Sequence, residues 1–303
     1  MRTLLVTGHE GFVGRALCDV LHDDASPPWQ LATLPARFDV RSAGLASQVA
    51  RIRPDAVVHL AALTSVAQSF RDPEAFFDVN FHGTWNLLKA LRHAGFRGRL
   101  LYVSSGDCYG TVAEAELPIP EQRPLRPRSP YAVSKTAAEA LCYEWSQSEA
   151  LDVVIARPFN HVGPGQDERF AIASFARQVA RIAAGAAQPR IVTGDLDVTR
   201  DLTDVRDVIA AYFALLERGR SGEVYNIGSG RETRFADVLD RLLALANVHA
   251  RIERDPARLR ANEQRRAVAD VQKIAEHTGW RASIPLSTTL RDMLDDSRSS
   301  LSS

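Results

Sequence analysis

The first fourteen residues constrain the fold more than any other stretch of the chain. Thr3-Leu4-Leu5-Val6-Thr7 is a short apolar run that ends in Gly8-His9-Glu10-Gly11-Phe12-Val13-Gly14. Ala16, Leu17, Val20 and Leu21 then succeed Phe12 at helical spacing. Glycine lets a backbone approach a ligand closely, and the first N–H groups of a helix lack an intrahelical acceptor. A strand that breaks into glycines and continues as a helix therefore makes a cradle for a dinucleotide diphosphate. The spacing is Gly-x-x-Gly-x-x-Gly, not the commoner Gly-x-Gly-x-x-Gly, so taken alone it also suits a simple tight turn.

The pattern of the remaining chain favours the cradle. Apolar runs at Trp29 to Leu34, Val57 to Ala62, Leu100 to Ser105 and Val153 to Ala156 alternate with helical patterns at 73–93, 130–147 and 204–218. This alternation predicts an α/β chain: a Rossmann-type doubly wound parallel sheet with helices on both faces, plus a smaller α/β substrate domain. We expect the dinucleotide domain to take 1–160 plus about 197–220, and the substrate domain about 161–196 plus 221–303.

In such sheets the ligand lies beyond the carboxyl ends of the strands. After Leu60 the third strand ends in the small residues Ala61 and Ala62, which permit a cofactor to lie close. The second strand ends in Pro35-Ala36-Arg37 with no carboxylate for a ribose 2′-hydroxyl. Arg37 leans toward a 2′-phosphate and NADPH over NADH, the alternative being a surface arginine and either cofactor. Asp39 is within reach of an adenine amino group. His59 and Asn80 are expected to be structural, a core histidine and an asparagine with backbone partners. The segment 117–130 reads as a loop over the site, and 295–303 as a frayed tail.

The fourth strand stops at Ser105-Gly106-Asp107, in the same crevice. Ser129-Pro130 then signals a helix start, which places Tyr131 and Lys135 one turn apart on one face. A phenol has an ordinary pKa of about 10, and a neighbouring ammonium favours its ionised form. Such a pair is an acid–base catalyst for a carbonyl or alcohol oxygen. Packing of the ring beside a solvated lysine is the plain alternative. Composition weakens that alternative, because only Lys89, Lys135 and Lys273 are lysines among 37 basic residues.

Net charge is zero at pH 7, so no global field attracts nucleic acid or an anionic membrane. The three cysteines, Cys18, Cys108 and Cys142, lack metal-ligand spacing; no metal is expected, and a reduced, cytoplasmic setting is. Met1-Arg2 leads straight into the first strand without the form of a secretory leader, and no apolar run approaches the ~18 residues of a membrane span.

Thr7-Gly8-x-x-Gly11-x-x-Gly14, Ser105 and Tyr131-x-x-x-Lys135 together resemble the nucleotide-sugar branch of the extended short-chain dehydrogenases/reductases, along the full chain. The resemblance implies that Tyr131 exchanges a proton with a sugar oxygen. It implies that Lys135 holds the nicotinamide ribose and acidifies Tyr131, and that Ser105 hydrogen-bonds the carbonyl. The cofactor contacts it implies are Gly8, Gly11, Phe12, Val13, Gly14, Arg37, Asp39, Leu60, Ala61, Ala62, Tyr131, Lys135 and Pro158. Arg157 to Gln166, Gly194 to Asp201 and Asp255 to Arg266 are similar to segments of the GDP-mannose enzymes. They imply substrate contacts at Asn160 and Arg200, with Arg260 on the diphosphate and Glu263 on the guanosine ribose, beside Thr64, Ser105, Gly106 and Asp107. The family's proline after that arginine is Ala261 here.

The implied activity is NAD(P)H-dependent reduction of the C4 ketone of a GDP-linked 4-keto-6-deoxy sugar, a hexose or a heptose. A 4,6-dehydratase or epimerase with retained NAD(P) is the alternative, and a non-catalytic dinucleotide sensor a more distant one. Dehydratases of the branch carry a glutamate where this chain has Asp107, one methylene shorter, and a hydroxyl residue where it has Gly106. A homodimer joined through helices 73–93 and 130–147 is also implied.

Overall fold

The computed structural model describes residues 2–23, 29–258 and 264–301. The strands in chain order are β1 (Arg2–Thr7), β2 (Trp29–Thr33), β3 (Ala56–His59), β4 (Arg99–Val103), β5 (Asp152–Pro158) and β6 (Asn160–Val162). They continue as β7 (Arg190–Thr193), β8 (Thr199–Asp204), β9 (Val224–Ile227), β10 (Glu232–Arg234), β11 (Arg251–Arg254) and β12 (Arg266–Ala267). Six of them form one parallel sheet in the order β2-β1-β3-β4-β5-β9. The order reverses between β1 and β3, and a doubly wound sheet opens its ligand crevice at that point.

Both faces of this sheet are buried, so its central strands are apolar throughout. Alternate residues serve opposite cores. Leu4, Val6, Val58, Leu101 and Val154 pack with the helices Phe12–Asp23 and Val205–Arg218. Leu5, Val57, Leu100, Val153 and Ile155 pack with Leu45–Ile52, Gly83–His93 and Pro130–Ser148. Each such side chain contributes about 1.5–3 kcal/mol by leaving water. A third core joins the helices Ala171–Ala183, Phe235–Ala246 and Leu286–Ser299 to Val162, Ile191 and Leu202.

Several boundaries differ from expectation. β8 lies not in the large sheet but between β6, β10 and β12. Its Asp201 carboxylate holds the second lobe together, accepting from Ser229 N (2.7 Å), Ser229 Oγ (2.6 Å), Gly230 N (2.9 Å) and Ala269 N (3.2 Å). β9, expected beyond the boundary at about 220, instead completes the large sheet beside β5. The helix 73–93 is interrupted by a π turn over Asp78–His82, where Asn80 bends inward. The supposed frayed tail is helical to Ser299, with Ser297 buried.

The segment after β4 is not a free flap. Val112 and Gln264 exchange two hydrogen bonds of 3.0 Å. Ile119 N donates to Val268 O at 2.9 Å, and Asp270 N donates to Ile119 O at 2.9 Å. These bonds clamp the wall of the crevice to the second lobe.

Candidate active site

Gly8 takes a left-handed conformation (φ 72°), and a Cβ there would stand 2.6 Å from Ala61 N. A Cβ on Gly14 would fall 2.3 Å from Gly8 O. Gly11 N donates to that same carbonyl at 3.0 Å, and the helix begins at Phe12. The loop thus closes only with glycine, leaving the N–H groups of Phe12, Val13 and Gly14 at a helix start for an anionic ligand. These residues fit a dinucleotide diphosphate. Gly14→Ala is expected to weaken NADPH binding by about a hundredfold or more, because the loop must open to admit the methyl. Tryptophan-fluorescence titration reads this; affinity close to that of the unaltered chain would refute it.

Leu60, Ala61 and Ala62 come after β3 opposite the loop, with Ala61 N donating to Thr7 Oγ1 at 3.2 Å. Arg37 is exposed at the end of β2 and also has positive φ (57°); its N–H donates to Glu10 Oε2 at 2.8 Å. Asp39 is exposed and engaged in a two-pronged pair with Arg41, at 3.0 and 2.6 Å, which holds its carboxyl below the usual range. Pro158 is buried at the end of β5.

Tyr131 and Ser105 meet at the mouth of β4. Tyr131 is 7% exposed and edge-on to Phe76, with the Ser105 side chain near its hydroxyl. Burial, and then the charge of Asp107, push the phenol well above its ordinary pKa, against the pull of Ser105. Lys135 is 4% exposed; its Nζ donates to Val103 O at 2.6 Å and stands 5.1 Å over the Tyr102 ring. Burial brings its pKa down to about 8. The expected acidification of Tyr131 by Lys135 is therefore not the dominant effect in this arrangement. Helical spacing puts both residues on one face, but the lysine stem turns its charge to the strand carbonyl.

His59 is sealed between Thr7 Oγ1 (2.7 Å) and Thr84 Oγ1 (3.0 Å), and burial lowers its pKa to about 3, so it is a neutral core residue. Asn80 accepts from Leu63 N (2.8 Å) and donates to Leu63 O (3.0 Å) and Ser134 Oγ (2.9 Å). It thereby ties the loop bearing exposed Thr64 to the helix of Tyr131. Gly106 faces Phe159, where a Cβ would be 3.0 Å from the ring, and Asp107 is exposed beside it.

Asn160 is exposed on β6, and Arg200 is 9% exposed on β8, its guanidinium 6.0 Å over Phe235 and donating to Thr199 O at 2.7 Å. Arg260 and Glu263 lie outside the described residues. Sequence reading missed the seam between glycine loop and second lobe. Phe12 stacks on His161 at 6.0 Å, and Arg15 Nη2 donates to Gly165 O at 3.1 Å. It also missed a buried Glu139–Arg157 pair, whose partners no local spacing links.

A cleft of about 500 Å³ between loop 163–169 and the last helix contains none of Ser105, Tyr131 or Lys135. Among the described residues no group of three or more potential ligands could hold a metal ion, and no helix is long and apolar enough to cross a membrane.

Proteins that combine such a crevice with a serine ending β4 and a Tyr-x-x-x-Lys helix make up the extended short-chain dehydrogenase/reductase class, and this chain has that construction. A family model described as GDP-mannose 4,6 dehydratase matches residues 36–293. The chain is 47% identical over 293 residues to GDP-6-deoxy-D-mannose reductase of Pseudomonas aeruginosa, covering 97% of this chain and 96% of that protein. It is 31% identical over 307 residues to UDP-glucose 4-epimerase of Mycolicibacterium smegmatis, covering 94% and 95%. The solved structure of RMD from Pseudomonas aeruginosa complexed with NADPH matches with a TM-score of 0.93 at 44% identity, covering 99% of this chain and 100% of that one. The chain belongs to the GDP-mannose 4,6-dehydratase family.

Proposed function

We propose that this protein reduces the C4 ketone of a GDP-linked 4-keto-6-deoxy sugar, hexose or heptose, with NADPH or NADH. The observation that carries the reading is the Ser105–Tyr131 pair at the end of β4, its phenol held in the protonated form that ketone reduction needs. The reductase relative and the NADPH-bound neighbour support it.

When bound, the nicotinamide supplies hydride. Gly8, Gly11, Phe12, Val13 and Gly14 would hold the diphosphate, Leu60, Ala61, Ala62 and Pro158 would flank the cofactor, Arg37 would meet a 2′-phosphate, and Asp39 would serve the adenine. Ser105 donates to the ketone oxygen and orients it. Tyr131 gives that oxygen its proton as the alkoxide forms. Lys135 would support the nicotinamide ribose, and its ammonium would offset the charge left on the phenol. Thr64, Gly106 and Asp107 line the sugar end, and Asn160, Arg200, Arg260 and Glu263 hold the nucleotide; arginine forks suit a diphosphate.

The 4,6-dehydratase or epimerase alternative retains its nicotinamide, so one experiment separates the two. Purified protein given GDP-4-keto-6-deoxy-mannose should oxidise one NADPH per sugar reduced. Product formed from GDP-mannose without added reduced cofactor would overturn the reading.

We also propose a cytoplasmic homodimer joined through the helical stretches 73–93 and 130–147. Trp85 (44% exposed), Val133 (39%) and Tyr143 (52%) are large apolar groups left on those two helices. A monomeric mass by analytical ultracentrifugation at micromolar concentration would remove the dimer, and recovery outside the cytosolic fraction the location.

A further inference from the structure

Glu139 lies one turn beyond Lys135 and two beyond Tyr131, and is 5% exposed. It meets Arg157 of β5, also 5% exposed, in a two-pronged pair: Arg157 Nε donates to Oε2 at 3.0 Å and Nη2 donates to Oε1. Arg157 Nη1 donates to Tyr109 Oη at 2.8 Å and to Glu121 O at 3.2 Å. Tyr109 donates on to Asn226 Oδ1 at 2.7 Å, and Asn226 Nδ2 donates to Ile119 O at 2.8 Å. Tyr109 also leans on Phe159, the ring beneath Gly106. The pair thus connects the helix of Tyr131 and Lys135 to the floor of the crevice.

Desolvation makes a buried ion pair a poor source of stability, so its value must be sought elsewhere. The groups around Lys135 are Glu139 and Cys142 on its own helix, with Tyr131 one turn back, His59 on β3, Tyr102 and the Val103 carbonyl on β4, and Cys108 in the turn after β4. Burial keeps both thiols and both phenols protonated and His59 neutral. Within this described set, Glu139 supplies the negative charge, partly offset by the Arg157 guanidinium paired with it from β5.

We propose that Glu139, fixed by Arg157, is a positioning residue that keeps the Lys135 ammonium charged while the Arg157–Tyr109–Asn226 chain holds the crevice floor. This rests on the reading that Lys135 acts as a cation in turnover. Three lysines in the chain make the test direct, because lysine-labelled NMR resolves each one. In the unaltered protein the Lys135 midpoint should lie near 8. Glu139→Gln should lower it by about one unit, and the alkaline limb of kcat should move with it. Glu139→Asp should restore most of both. An unmoved midpoint in folded Glu139→Gln overturns the proposal. Should Arg157, left buried and unpaired, prevent that variant from folding, Glu139→Gln/Arg157→Met makes the same comparison. There the opposing Arg157 charge is lost as well, so a smaller fall of the midpoint supports the inference and an unchanged one overturns it. If the unaltered protein oxidises no NADPH, the reductase reading fails, while the NMR midpoints still decide this inference.

Discussion

Tyr131→Phe is expected to lower kcat for ketone reduction by about 10³-fold, within the range that general acid catalysis supplies, while NADPH affinity stays within about twofold. The phenylalanine ring keeps the edge contact with Phe76 and the same buried volume. Only the oxygen beside Ser105 is lost. Hydride addition to a ketone leaves an alkoxide, which needs a proton at once. A serine hydroxyl can orient that oxygen, but it is too weak an acid to replace the phenol. The measurement is loss of nicotinamide absorbance under saturating substrate, with cofactor affinity from fluorescence. Retention of more than about a tenth of the rate would take Tyr131 out of the chemistry. Melting should move little, since the substitution removes one buried polar atom and opens no large cavity.

The parts of this fold legible in the sequence are those whose physics is local. Parallel strands buried on both faces read as apolar runs, and Val57-Val58 and Leu100-Leu101 do so. The glycine turn was legible because its constraint is steric: Gly8 and Gly14 close against their own loop and Ala61. Ser129 and Pro130 marked the start of the Tyr131 helix for the same reason; Ser129 does accept from Ala132 N, at 3.1 Å. What stayed hidden depends on partners far along the chain. Thr199–Asp204 is a polar strand made buriable by donors from 229–230 and 269, so its place could not be read from its own residues. Glu139 and Arg157 are 18 residues apart on a helix and a strand, and only the fold joins them. The direction of Lys135 was likewise set by a strand carbonyl, not by its spacing from Tyr131.

That direction gives the second large effect. Lys135→Met should cost about 10³-fold in kcat yet leave the protein as stable at pH 7, or more so. Nearly full burial lowers the lysine's folded pKa from 10.5 to about 8, so the folded chain binds this proton less tightly than the unfolded chain does. The resulting destabilisation is fully present below pH 8, shrinks as pH rises, and is gone above about 10.5. Its size is about 3 kcal/mol, from 1.36 kcal/mol per unit. Methionine keeps most of the apolar stem but leaves the Val103 carbonyl without its 2.6 Å donor, an offset of about 1–3 kcal/mol. The net at pH 7 is near zero or favourable, and the variant's relative stability should decline between pH 8 and 10.5 as the unaltered protein recovers. Thermal melts of both proteins at pH 7, 8.5 and 10, beside kcat at the lowest of these, make the comparison. A large loss of melting temperature at pH 7 would mean that Lys135 is held for the fold. A stable, inactive variant would mean that the chain tolerates a costly buried charge for the sake of the proton transfer at Tyr131.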